Sequence, residues 1–217
     1  MDREAFLARV GTASATLSAP PDPGIFVPEA RGGDLVARFC REFEAVDGVA
    51  HRAADASDAL NIVLELVRGH DRFMARGPLP VAGLAGRLIH DGFRIVNSDV
   101  PADPAARIEH QLGYETLEIG ITGADAALAE SGSIIVTSGC ESPRMASLIS
   151  EIHIALVHTD QIYASLTHFL AERPDVATRG SNMVVITGPS RTADIEQTLT
   201  LGVHGPRQVH VILIPFL

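Results

Sequence analysis

Gly188, Pro189, Ser190 and Arg191 follow a strand-like run, NMVVIT, and open a segment that reaches Pro206. A Gly-Pro-Ser turn after a strand, leading into hydroxyls and a guanidinium, suits the binding of an anion. The pattern predicts a helix opening there, whose first turn adds unpaired N–H groups and a partial positive charge. Ser190 and Thr192 supply hydroxyl donors. Arg191 is suited to a bidentate clamp on carboxylate or phosphate. A guanidinium at a helix start opposes the dipole, so its presence calls for a ligand or for a local partner, Asp194 or Glu196. Asp194 can also accept from ligand hydroxyls. His204, between Gly202 and Gly205, can make a polar contact in the bend before the last strand.

A second group lies at 121–133. Thr122 and Gly123 end a strand-like run and can offer backbone N–H groups to an anion. Glu130 precedes Ser131, Gly132 and a buried run. A carboxylate there can act as nucleophile or general base where its surroundings tune it, and Gly132 would let a ligand approach closely. The plainer alternative is a solvated Glu130 at a helix end, closed by a left-handed Gly132. Ser138-Gly139 and His158-Thr159-Asp160 follow two further strand-like runs. Four strand ends thus carry glycine or hydroxyl groups. Each alone reads as an ordinary turn or cap; together they predict one crevice at the carboxyl ends of the strands.

Other chemistries lack their motifs. There is no HExxH, no zinc-spaced Cys/His/Asp cluster, no GxxxxGK[ST], no GxGxxG and no GxSxG, so no metal site is expected. The two cysteines, Cys40 and Cys140, are far apart and read as plain buried or half-buried thiols. Four-thiolate ligation of an iron–sulfur cluster needs more than two. His153, inside an apolar strand, reads as a hydrogen-bonded core residue.

The elements that must position these groups alternate. Residues 1–47 form an N-terminal helical extension, with helices at 2–17 and 34–48, the second ended by Gly48, and a Pro-rich connection at 18–30. From 48 to 217, short strands and helices take turns. The readings include a short helix over ADAALAESG, a helix over DQIYASLTHFLAER capped by Asp160, and a helix capped by Asp55 or Ser57. Near-continuous Ile/Val/Leu strands predict a mostly parallel, doubly wound α/β sheet with helices on both faces.

Composition bounds the rest. The chain has 217 residues, 46% of them hydrophobic, which supports a sizeable core, and a formal charge of -10. Such acidity disfavours nucleic-acid backbones. No apolar run is long enough to span a bilayer, and the acidic amphipathic start does not read as a signal peptide. A cytoplasmic location is expected.

The blocks GITGADAALAESGSIIV, IHIALV and VVITGPSRTADIEQTLTLGVHGPRQVHVIL closely resemble the LUD-domain family, also known as the DUF162 or YkgG group, and its lactate utilization protein C branch in particular. The resemblance covers residues 48–217. It implies a fold similar to the NagB/RpiA/CoA-transferase class and a place in a system oxidising L-lactate to pyruvate. It further implies iron–sulfur proteins as partners, with the clusters held in those subunits and no cofactor bound by this chain. Glu130-Ser131-Gly132 resembles the Glu-Asn-Gly of CoA transferases, with Ser in place of Asn. An accessory subunit is the first expectation. An independent enzyme or ligand sensor, binding a carboxylate, sugar phosphate or acyl-CoA at the strand ends, is the second. The oligomeric state is left open.

Overall fold

A computed structural model describes residues 2–5, 7–9, 33–75, 77–97, 101–139, 144–193, 199–201 and 204–216; for 116, 177, 192, 193 and 199–201 it describes the backbone alone. The expected Pro-rich connection at 18–30, Cys140, Asp194 and Glu196 lie outside these residues, as does most of the helix expected at 2–17.

The central sheet has six strands, all parallel, in the order β1-β12-β7-β4-β2-β3. They are β1 (Val49–Arg52), β2 (Arg72–Ala75), β3 (Arg94–Ile95), β4 (Ile119–Gly123), β7 (Ile152–His158) and β12 (Gln208–Ile214). Helix α1 (Leu35–Ala45) precedes them in the chain, and α2 (Ala56–Leu66), α3 (Leu84–His90), α4 (Pro104–Gly113) and α5 (Met145–Leu148) fall between them. β7 is buried along nearly its whole length, as a strand covered on both faces must be. Its Ile154 and Leu156 join one core with Val63, Leu84 and Leu88 of α2 and α3. Its Ala155 and Val157 face the opposite way and pack with Phe39 and Phe43 of α1. The α/β architecture with helices on both faces is therefore as the sequence pattern implies.

Three segments differ from that pattern. The Ala-rich ADAALAES segment forms strand β5 (Ala126–Leu128) and a turn, not a helix. Its small side chains are fully enclosed between two cores, and that packing overrides the helix propensity of alanine. β5 pairs antiparallel with β6 (Ser133–Ser138) and parallel with β8 (Ile162–Tyr163). Antiparallel β9 (Asn182–Ile186) completes a second, four-stranded sheet, so the SIIVTS and NMVVI runs do not belong to the parallel sheet. The helix expected from Asp160 is a 3-10 turn (Thr159–Gln161), β8, and α6 (Leu166–Glu172), then α7 (Val176–Arg179). Ser165, not Asp160, accepts from His168 N to cap α6. Last, where a helix opening was expected after Ser190, the described residues form strand β10 (Arg191–Ala193), paired antiparallel with β11 (Leu199–Leu201).

Helix α1, placed by sequence in the N-terminal extension, is part of the core. Asp34 caps it by accepting from Ala37 N at 3.1 Å, and Phe39 and Phe43 are fully buried. Such burial is worth about 1.5–3 kcal/mol per ring. Asp47, at φ 62°, carries the left-handed turn at its end, one residue before the expected Gly48. Gly48 is needed for another reason: a Cβ there would lie 2.4 Å from the Phe43 ring.

Candidate functional site

A cleft of about 420 Å³ opens at the carboxyl ends of the central strands. Its floor is Gly123, the last residue of β4, Ala124 directly after it, and His158, the last residue of β7. One wall is the Gly77–Pro80 loop after β2; Gly123 meets it so closely that a Cβ would lie 2.6 Å from the Pro78 carbonyl. The other wall comes from the second sheet and its helices: Asp125, Thr137, Arg173 and Arg179.

Hydrogen bonds fix these groups in place. Asp125 Oδ2 accepts from Thr137 N and Thr137 Oγ1, each at 2.8 Å, and Oδ1 accepts from Arg179 Nη2 at 3.1 Å. Arg179 Nε also meets Asp175 Oδ2 at 3.1 Å, and Arg173 Nε lies 3.6 Å from Asp175 Oδ1. Gln161 locks the floor: its Oε1 accepts from His158 N at 2.8 Å and its Nε2 donates to Ala124 O at 2.9 Å. The His158 ring packs edge-on to Phe216, and its Nδ1 is sealed off beside the Gln161 backbone N–H.

Below the floor, Thr122 is buried and its Oγ1 lies 2.9 Å from Nε2 of His153, a fully buried histidine. Burial holds the His153 imidazole down at about pKa 4, so it is neutral at physiological pH. Thr122 therefore faces the interior, not a ligand. Among the described residues no group of three or more His, Cys, Asp or Glu is placed to hold a metal.

The sequence-predicted residues divide between two ends of the molecule. Thr122-Gly123, Ser138 and His158 come to the cleft end. Gly188, Ser190 and Arg191 do not, because β9 runs antiparallel to β6: its Asn182 pairs with Ser138, whereas Ile186 pairs with Ile134. Glu130, Ser131 and Gly132 form the turn between β5 and β6 at that same far end. The two ends of β6 are separated by roughly 17 Å at ~3.4 Å per residue.

At the far end the contacts are structural. Ser131, Ser133 and Thr187 form a chain of hydroxyls at 2.8 Å spacings. Glu130 is exposed. Gly132 is left-handed at φ 61°, and a Cβ there would lie 2.3 Å from Phe43 N, so its close approach is to helix α1 and not to a ligand. Gly188, at φ 74°, similarly accommodates the Val46 carbonyl. Arg191 is exposed and pairs with Asp47, beside the start of β1. Ser190 N donates to Pro206 O at 2.9 Å. His204 is exposed, and the Thr192 side chain lies outside the described residues.

Sequence reasoning missed Asp125, Thr137, Gln161, Arg173, Arg179 and the Gly77–Pro80 loop. The GPLP run after β2 was a usable signal, since a Gly-Pro-x-Pro loop after a parallel strand marks a rigid crevice wall. The arginines flanking Pro174-Asp175 carried no such signal, because their place depends on the second sheet.

The LUD domain matches residues 36–214 of the chain, almost the whole of both sheets. The chain belongs to the LUD domain family. A solved DUF162 family protein from Deinococcus radiodurans shares the fold, with a TM-score of 0.59 at 17% identity over 83% of this chain and 96% of that one. The lactate utilization protein C branch is represented among curated LUD relatives. Lactate utilization protein C of Geobacillus sp. is 33% identical over 133 residues, 59% of this chain and 55% of that protein. Its counterpart in Bacillus subtilis is 38% identical over 104 residues, 46% of this chain and 43% of that protein. An uncharacterized protein of Neisseria meningitidis is 34% identical over 103 residues, 46% and 44% of the two chains. The matches thus span about half the length of these curated relatives. Among the described residues no helix is long and apolar enough to cross a membrane.

Proposed function

We propose that this chain is a component of a cytoplasmic L-lactate utilization system that oxidises lactate to pyruvate, acting there as an accessory subunit without a cluster of its own. The observation that carries this reading is the similarity to proteins named lactate utilization protein C. Two cysteines in 217 residues support it from the chemistry, because a four-thiolate cluster needs more ligands than the chain has. In this reading the iron–sulfur clusters and the electron transfer reside in partner proteins. The test is a clean deletion in the native host, with the tagged chain recovered from cells grown on L-lactate. The expected result is loss of growth on L-lactate, restored by the wild-type gene, and co-purification of iron–sulfur proteins. Normal growth of the deletion strain on L-lactate would remove the reading.

The cleft favours a second reading, in which the chain itself binds an anionic ligand as an enzyme or a sensor. The supporting observation is the pair Arg173 and Arg179 on one wall of a cleft at the strand ends. Turnover separates the two forms: a sensor binds its ligand and releases it unchanged. In this reading Glu130, exposed and at the other end of the second sheet, lies outside the site.

A further inference from the structure

We propose that the cleft takes an organic anion with an apolar body, its oxyanion clamped between Arg173 and Arg179 and its body lying on the Gly77–Pro80 wall; this rests on the second reading above and names its ligand class.

The hydrogen-bond inventory decides the polarity of the ligand. Asp125 is the sole carboxylate among the described lining residues, and its oxygens already receive Thr137 N, Thr137 Oγ1 and Arg179 Nη2. It orients Arg179 and has little left to offer a ligand donor. Gln161 Oε1 accepts from His158 N and its Nε2 donates to Ala124 O, which leaves one lone pair and one amide hydrogen for the cleft. His158 has its Nδ1 sealed off beside the Gln161 backbone N–H, in a capping box that uses the ring as acceptor. An Nδ1 that accepts in the cap puts the ring proton on Nε2. With Asp125 engaged, the charged groups left to meet a ligand are the two guanidiniums. Their ligand is rich in acceptors.

Charge points the same way. Arg173 and Arg179 against Asp125 leave the lining net positive on a chain whose formal charge is -10. Both arginines now meet the Asp175 carboxylate, at 3.6 and 3.1 Å. Asp175 is half exposed, and exposed pairs of this kind are worth about 0–1 kcal/mol. A ligand carboxylate or phosphate can replace Asp175 with little loss, and bidentate contacts to two guanidiniums exceed what it displaces.

Size and surface decide the body. A cleft of about 420 Å³ lies in the range of sites for ligands much larger than a three-carbon acid. The wall facing the arginines is Pro78, Leu79 and Pro80, which offers apolar surface held rigid by two proline rings.

The test is calorimetric titration of the full chain with two matched pairs, pyruvate against phenylpyruvate and inorganic phosphate against phenyl phosphate. Amide NMR shifts at Gly123, Thr137 and Gln161 report where each probe sits. The expected result is at least tenfold tighter binding of one phenyl-bearing probe than of its bare partner. That binding should shift the cleft amides and fall at least tenfold in R173Q/R179Q. Whichever pair responds identifies the headgroup. R191Q, altered at the far end, should bind as wild type does. Binding that shifts the cleft amides but survives R173Q/R179Q overturns the clamp and leaves an anion-binding chain. Absence of binding by all four probes at 10-fold above millimolar range overturns the clamp and the second reading together. Neither outcome touches the lactate-system reading, which the deletion strain tests separately.

Discussion

His153 should make the LUD domain acid-sensitive in a window where most carboxylates are still ionised. The imidazole is fully buried, with Nε2 against Thr122 Oγ1 at 2.9 Å and Nδ1 without a partner among the described residues. Burial lowers its pKa from 6.5 to about 4. The unfolded chain therefore binds this proton more readily than the folded one. The stability that the neutral ring contributes is complete above the unfolded value and is lost as pH falls from there towards the folded one. The gap between 6.5 and about 4, at about 1.4 kcal/mol for each pH step, amounts to about 3 kcal/mol, of which about 2 kcal/mol is gone by pH 5. His210, stacked on His51 and held at about 4 by burial and by that neighbour, adds a slope of the same sign. The assay must therefore compare variants. Urea unfolding of wild type and His153→Gln at pH 7.5 and pH 5 isolates the ring. Gln cannot titrate, so the wild-type advantage should shrink by about 2 kcal/mol between the two pH values. Identical pH dependence in the two proteins would refute the reasoning. So would an imidazole NMR titration of His153 with a midpoint near the ordinary histidine value.

Three further outcomes follow from close contacts. Gly132→Ala must adopt a left-handed conformation and push a Cβ against Phe43 N, so urea unfolding should show a loss of at least about 2 kcal/mol; a change under about 0.5 kcal/mol would mean that α1 does not seal this turn. Arg191→Gln removes only an exposed pair with Asp47, so thermal unfolding should show a loss of about 0–1 kcal/mol, and a larger one would reveal a buried role. Gly123→Ala drives a Cβ to 2.6 Å from the Pro78 carbonyl, so it should displace the 77–80 wall, shift amides of that loop by NMR, and lower stability by about 1–3 kcal/mol; an unshifted loop would show that the wall and the floor are not in contact.

The parallel sheet was legible because its signal is local. Runs such as IHIALVH and QVHVILI are near-continuous in Ile, Val, Leu and Ala, interrupted by histidines and the leading Gln208, as strands covered on both faces require. The cap at Asp55 was legible for the same reason: its carboxylate accepts from Asp58 N, three residues on. The second sheet was not legible. Ala126, Ala127 and Leu128 carry a helix-like composition, and what makes them a strand is their enclosure between two cores supplied by distant segments. No window of sequence contains both the strand and the surfaces that select it. The stretch from Asp160 to Arg173 fails similarly. Ile162-Tyr163 pairs with Ala127-Leu128, and that pairing holds the chain extended for two residues before Ser165 can start the helix.

The separation of the expected site residues into two groups traces to that same sheet. Reading every strand as parallel sends every strand end to one crevice, which is why Gly188–Arg191 was grouped with Thr122-Gly123. Once β9 is antiparallel to β6, the direction reverses and the Gly-Pro-Ser-Arg turn goes to the far end. The guanidinium sought there is supplied at the cleft by Arg173 and Arg179, which the turn between α6 and α7 sets on either side of Asp175. β4 and β7 end on the cleft floor, at the carboxyl ends where the rule for parallel strands looks for a ligand. What it could not supply was the opposing wall, because Asp125, Thr137 and the two arginines reach the cleft only through the second sheet. Glycine has the complementary ambiguity. Gly123, Gly132 and Gly188 all mark a close backbone approach, but the partner is a loop, a helix and a helix end. A sequence reports that space is needed there; what fills it depends on residues far along the chain.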